Sequence, residues 1–211
     1  MKKGIIFDVD GTLWDSTEVV AKGYNLVISE LGGKYPLVDS EKLMSVFGKT
    51  MLGIGRVLFP DEPDEEKLAL MERCIVGEFV AMDAEHPEPY PGVAETIKAL
   101  YPDYALYIVS NCPAGYIERF LDYTGLGSYI EGHLCPGDTG QVKADNIRLI
   151  VERFALDDAV YVGDTLLDKQ SSDDAGVRFI HAAYGFGEVD AEYAIQDILE
   201  LPEMAARVFA S

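Results

Sequence analysis

The sequence predicts an α/β protein, a doubly wound parallel sheet interrupted near its start by an all-helical insert. Three observations predict it. Short apolar runs ending in polar residues occur at 5–7, 104–109 and 159–162. Beyond residue 90 such runs alternate with stretches of helical periodicity, the pattern of parallel strands covered by helices. Between residues 15 and about 85 only helical periodicity is found. We therefore assign 1–14 and 90–211 to the α/β core and 15–89 to a helical insert.

Residues 5–7 have no polar face, as expected of a strand buried on both sides. The run ends in Asp8-Val9-Asp10-Gly11-Thr12-Leu13. Alternation along an extended chain places Asp8 and Asp10 on one side, and Gly11 permits a sharp turn. Two neighbouring carboxylates repel each other and lose hydration. A divalent cation relieves both costs, and oxygen-only ligands favour magnesium. A plain Asp-Gly turn is the ordinary alternative for a single such pair.

In the insert, Asp15, Ser16 or Thr17 caps a helix whose apolar face is Val20, Tyr24, Val27, Ile28 and Leu31, ending at Gly32-Gly33. A second helix is expected over about 40–47 and a third over 51–59, before Pro60. The acidic run 61–66 begins a fourth, with Leu68, Met71, Ile75 and Phe79 on its inner side. Gly48-Lys49-Thr50 is a glycine-flexed break carrying a cation. Lys49 and Arg56 are the candidate substrate contacts of this region.

His86-Pro87-Glu88-Pro89-Tyr90-Pro91-Gly92 reads as a linker. The strand 104–109 then ends at Ser110-Asn111. Pro113 opens a helix with the face Ile117, Phe120, Leu121 and Thr124. A strand over 129–134 and a helix over 144–154 follow. The strand 159–162 ends at Gly163-Asp164, a helix runs to about 175, and a strand spans 177–181. The segment 192–208 is expected to be helical. Ligands of such sheets sit beyond the carboxyl ends of the strands. That rule gathers Asp8, Asp10, Ser110, Asn111, Asp164 and Asp168, with Lys143 ahead of the helix leading into 159–162. Several carboxylates, one lysine and neutral hydrogen-bonding groups suit phosphoryl transfer.

Composition narrows the partners. With 211 residues and a formal charge of −20, the chain is unsuited to nucleic acid or to anionic membranes. The three cysteines are far apart in sequence and match no zinc spacing, so reduced thiols in a cytoplasmic protein are expected. No secretory signal pattern precedes Asp8, and no apolar run is long enough to span a bilayer. His86, His133 and His181 have no spaced partners and are not assigned as ligands.

Four ordered motifs carry a family resemblance. Asp8-Val9-Asp10-Gly11-Thr12-Leu13, Ser110-Asn111, Lys143 and Gly163-Asp164-Thr165-Leu166-Leu167-Asp168 resemble those of the haloacid dehalogenase-like hydrolase superfamily. The helical insert and Tyr90-Pro91-Gly92-Val93 resemble its phosphoglycolate phosphatase and phosphomutase branch, which implies a Rossmann-like core and a helical cap. The resemblance implies that Asp8 is the nucleophile, forming an aspartyl-phosphate. Asp10 would protonate the leaving alcohol, deprotonate the attacking water, and touch the metal through its main-chain carbonyl. It further implies Mg²⁺ bound by Asp8 and Asp164 with support from Asp168, and phosphate held by Thr12, Ser110 and the Asn111 backbone. Lys143 would balance the negative charge. One departure is Ala144, where the family often has proline after the lysine. The implied activity is a magnesium-dependent phosphatase acting on a small phosphorylated metabolite. A phosphomutase, a 2-haloacid dehalogenase and a non-catalytic binding module are the alternatives, in that order.

Overall fold

The computed structural model describes residues Met1–Ser211 throughout. The chain divides into two compact units, Met1–Trp14 with Pro89–Ser211, and Asp15–Glu88. In chain order, β1 (Lys3–Phe7) and β2 (Trp14–Asp15) precede α1 (Thr17–Glu30), α2 (Ser40–Met44), α3 (Met51–Leu58) and α4 (Asp64–Ala84). Next come β3 (Glu88–Pro89), α5 (Val93–Leu100), β4 (Ala105–Val109), α6 (Tyr116–Thr124), β5 (Gly132–Leu134) and α7 (Pro136–Thr139). The chain ends with α8 (Lys143–Arg153), β6 (Asp158–Gly163), α9 (Leu166–Ala175), β7 (Arg178–Ala182), β8 (Tyr193–Ile195) and α10 (Leu201–Val208). No helix is long and apolar enough to cross a membrane.

The first unit is built on a six-stranded sheet in the order β5-β4-β1-β6-β7-β8, with every pairing parallel. Strand β1 is central because its residues are apolar on both faces. Ile5, Ile6 and Phe7 are fully buried, each stabilising the fold by about 1.5–3 kcal/mol. Ile6, Tyr107 and Tyr161 share one apolar cluster with Ile147 and Ile150 of α8. Phe7 lies opposite both Ile108 and Val162, so three adjacent strands end at one level. Asp8, Ser110 and Asp164 follow those ends.

Three expectations are corrected in this unit. Residues 192–208 are not one helix: Tyr193–Ile195 is the edge strand β8, paired with Ile180 to Ala182 of β7, and the helix starts only at Leu201. A three-residue strand carries too little alternation to be read among acidic neighbours. Helix α5, with Val93, Ile97 and Leu100 buried, was not expected. It starts after Gly92 at φ +86°, and the proline-rich linker masked that start. The strand over 129–134 shrinks to β5, because residues 127–129 form a 3-10 turn.

Between its boundary residues Asp15 and Glu88, which belong to β2 and β3, the second unit has only helices as regular structure. Helices α1 and α4 approach closely at paired glycines: a Cβ on Gly77 would lie 2.4 Å from the Gly23 carbonyl oxygen. That contact turns the inner face of α4 toward Leu70, Met71, Cys74 and Gly77. Leu68, expected to be inside, is exposed, and Ile75 and Phe79 are half-buried. Val20, Tyr24, Val27 and Ile28 of α1 complete the core with Tyr35 and Phe59, whose rings meet edge to face at 5.3 Å. Helix α2 stops at Met44, short of the expected 47, and Thr50 caps α3 by accepting from the Gly53 amide.

Candidate active site

The site begins where β1 stops. The Asp8 amide donates to the Val162 carbonyl at 2.8 Å, after which the chain curls on Val9. The amides of Thr12, Leu13 and Trp14 all donate to the Val9 carbonyl. Gly11 takes φ +79°, and a Cβ there would sit 2.2 Å from Asp164 Oδ2. Only glycine satisfies both demands. The extended chain ends at Phe7, so the curl rather than strand alternation sets where Asp8 and Asp10 point. Asp8 joins Asp164 and Asp168 in a buried cluster whose carboxylate oxygens lie within 4.8 Å of one another. The Asp10 carboxylate is outside that cluster. Its Oδ1 accepts from Tyr116 Oη at 2.5 Å and from Trp14 Nε1 at 3.1 Å.

Lys143 is the first residue of α8 and only 2 % exposed. Its Nζ donates to Asp8 Oδ1 at 3.0 Å and to Asp168 Oδ1 at 2.6 Å. Ala144, in place of the family's proline, leaves this bridge intact. Burial alone would lower the Lys143 pKa, but the charges of Asp168 and Asp8 outweigh it and hold the ammonium above its ordinary value. Ser110, buried at the end of β4, gives its side chain to Asp8, and half-buried Asn111 follows it.

Asp164 is set by backbone. Its Oδ2 accepts from the Phe186 amide at 2.8 Å and its Oδ1 from the Thr12 hydroxyl at 3.4 Å. A Cβ on Gly185 would fall 2.4 Å from Asp164 Cβ, and one on Gly187 would fall 2.7 Å from its carbonyl oxygen. His181 Nε2 lies 3.2 Å from that carbonyl and 3.1 Å from the Gly187 carbonyl. Two acceptors require Nε2 to carry the proton. Asp168 closes the start of α9 as half of a capping box. Its Oδ2 accepts from the Thr165 amide at 2.8 Å and hydroxyl at 2.6 Å. Both Asp168 oxygens are thus engaged by protein donors, as are both oxygens of Asp164.

Residues 5–182 match the family model described as haloacid dehalogenase-like hydrolase. The chain belongs to this family. Among its haloacid dehalogenase-like relatives, a phosphoglycolate phosphatase of Cereibacter sphaeroides is 26% identical over 98% of this chain and 99% of its own. An N-acetylmuramic acid 6-phosphate phosphatase of Pseudomonas putida is 25% identical over 87% of this chain and 84% of its own. The crystal structure of a predicted phosphoglycolate phosphatase from Haemophilus somnus superposes with a TM-score of 0.84 at 20% identity, covering 97% of this chain and 98% of its own. A 2-haloacid dehalogenase from Pseudomonas syringae pv. tomato superposes at 0.68 with 23% identity, over 99% of this chain and all of its own. At these identities the superpositions establish the fold alone.

The electrostatics of this haloacid dehalogenase-like site are dominated by burial. Desolvation pushes Asp8 up to about 7, with Lys143 pulling it back and Asp168 adding to the rise. Burial and the charges of Asp168 and Asp8 push Asp164 to about 8. Three carboxylates against one ammonium leave −3 + 1 = −2 when all are ionised. Oxygen-only donors, close spacing and that surplus fit a hard divalent cation.

Thr12 was expected to contact phosphate. In the structure its hydroxyl donates to Asp164 Oδ1 at 3.4 Å and its amide to the Val9 carbonyl at 3.2 Å. Lys49 and Arg56 belong to the helical unit. There Lys49 Nζ donates to the Ser45 carbonyl at 2.6 Å, and Arg56 pairs with Asp64 at 2.5 Å. Sequence reasoning missed Tyr116, His181 and residues 184–187. The Gly185-Phe186-Gly187 spacing after a strand was the available sign of close backbone approach. Nothing local marks Tyr116, which is 106 residues from Asp10.

Proposed function

We propose that the protein is a magnesium-dependent phosphatase that hydrolyses a small phosphate monoester through an aspartyl-phosphate on Asp8. The observation that carries this reading is the separation of the two aspartates. Asp8 sits in a buried carboxylate cluster beside Lys143, Asp10 outside that cluster with Tyr116 and Trp14 among its donors, and two carboxylates in different surroundings take different roles. Asp8 attacks phosphorus while Asp10 protonates the departing alcohol oxygen. In the second half, Asp10 takes a proton from the water that attacks the aspartyl-phosphate. Lys143 favours the ionised form of Asp8 against burial and offsets part of the charge gathered there. Ser110 and the Asn111 backbone receive the phosphate oxygens, with Ser110 exchanging its contact to Asp8. Asp8, Asp164 and the Asp10 carbonyl, with Asp168 behind them, would hold magnesium, which would supply positive charge against the repulsion between the Asp8 carboxylate and the phosphate.

The phosphatase names of the relatives support a phosphorylated carboxylic acid or sugar as substrate. Lys49 and Arg56 are retained as proposed substrate contacts. The partner of Arg56, Asp64, is exposed, so that ion pair is given up at little cost. Three free buried thiols suit the reducing cytoplasm. The deciding experiment follows phosphate release from p-nitrophenyl phosphate, 2-phosphoglycolate, N-acetylmuramic acid 6-phosphate and common sugar phosphates, with magnesium or with chelator. Magnesium-dependent release is expected. Halide release from 2-chloropropionate without any phosphate release would overturn the reading.

The raised carboxyl groups give a second expected result. A folded pKa above the unfolded value means that the metal-free native state binds more protons than the unfolded chain. Its stability therefore falls as pH rises from about 4 through the 7 to 8 region. In chelator the Tm should be lower at pH 8.5 than at pH 5.5, and magnesium should raise it more at the higher pH. Asp164→Asn should flatten the slope in chelator. A Tm in chelator that rises over this interval would contradict the assignment.

A further inference from the structure

Asp10 is gripped by aromatic donors that have no place in the chemistry described so far. Tyr116 Oη and Trp14 Nε1 converge on a single oxygen, Oδ1, at 2.5 and 3.1 Å. The two rings meet edge to face with centroids 5.6 Å apart, and Trp14 meets Phe120 in the same way at 5.0 Å. Tyr116 and Trp14 are each 1 % exposed, so the grip is locked by packing on every side. The two donors come from different parts of the fold. Trp14 closes the curl that follows β1, and Tyr116 opens α6 after Gly115 at φ +86°. A phenylalanine at 116 would serve the apolar contacts equally well. What the hydroxyl adds is a short charge-assisted bond to the carboxylate.

Resting on the phosphatase reading, we propose that Tyr116 and Trp14 are positioning residues that hold Asp10 for proton transfer through Oδ2, fitting the protein to esters whose alcohols leave poorly. As the bond from Asp8 oxygen to phosphorus forms, the ester P–O bond breaks and its electron pair goes to the alcohol oxygen. The proton on Asp10 Oδ2 passes to that oxygen, and Asp10 is left as a carboxylate. An alkoxide does not depart near neutral pH without this proton, whereas an activated phenolate does. Both donors on Oδ1 bias the carboxyl group toward one orientation, and losing either lowers the share of complexes aligned for transfer.

The test uses kcat/KM, which reports only the steps through release of the alcohol. It is measured for the most rapidly hydrolysed alkyl phosphate of the panel above and for 2,4-dinitrophenyl phosphate. Tyr116→Phe is expected to lower the alkyl value about tenfold or more and the aryl value by less than about threefold. Asp10→Asn should show the same preference more strongly. Adding Tyr116→Phe to Asp10→Asn should not widen it further, because the hydroxyl acts only through Asp10. Trp14→Phe, which keeps an aromatic ring and loses the N–H, should tilt the ratio in the same direction. An equal fall on both esters, no fall on either, or an additive preference in the double variant overturns the proposal and leaves the phosphatase reading standing. Absence of phosphate release by the wild type overturns the phosphatase reading itself.

Discussion

Asp8→Asn is expected to abolish phosphate release, a fall in kcat on the order of 10⁴ or more. The amide has almost the shape of the carboxylate, but it supplies neither the lone-pair reactivity nor the charge needed to bond phosphorus. The same change should not weaken the metal-free fold. It removes one of three buried carboxylates, and Lys143 keeps its 2.6 Å contact to Asp168. Activity and stability therefore separate: phosphate release vanishes, while the Tm in chelator at pH 8 holds or rises. Phosphate release retained within tenfold would remove Asp8 from the role of nucleophile.

Lys143→Met is expected to damage both properties. Methionine fills the space but strands Asp8 and Asp168, each with 0–3% side-chain exposure, without their shared counter-charge. Breaking a buried pair in this way costs about 3–5 kcal/mol. For a chain of this size that corresponds to a Tm lowered by roughly 6–20 °C. The loss should be larger at pH 8.5 than at pH 5.5, because protonation of Asp8 relieves it at the lower pH. Added magnesium should recover part of the Tm without restoring turnover to the wild-type rate. A Tm unchanged at pH 8.5 would show that the ammonium is dispensable to the fold.

The sequence disclosed those parts of the protein in which one residue's environment is set by its neighbours in the chain. Ile5, Ile6 and Phe7 announced a doubly covered strand, and Gly163-Asp164 after an apolar run announced a strand end. The spacing of Val20, Tyr24, Val27 and Ile28 announced the inner face of α1. What escaped was set by tertiary contact. The inner face of α4 is turned by the meeting of Gly77 with Gly23, a contact the periodicity of α4 does not contain. Strand β8 exists because β7 offers it an edge. At the site, Asp8, Asp164, Asp168, Ser110 and Lys143 were placed together by strand order. The alternation rule does not extend to Asp10, because the strand ends at Phe7 and the chain curls at Val9. Tyr116 contacts Asp10 from another element, and its own surroundings in the sequence read as an ordinary helix start.

The central place of β1 has a consequence for how the protein is made. Ile5 is synthesised early, yet its neighbours in the sheet are Leu106 and Val160, the latter 155 positions later. The whole helical unit intervenes, with its own core, and it can condense while the ribosome is still working on the remainder. During that time the apolar strand waits unpaired, and the sheet closes only when β6 has emerged. Pairings of such long sequence separation form slowly, and an exposed apolar strand invites association with other nascent chains. Lys2, directly before the strand, and Lys3, its first residue, place positive charge at its end, the kind of flanking residue that discourages such association during the wait.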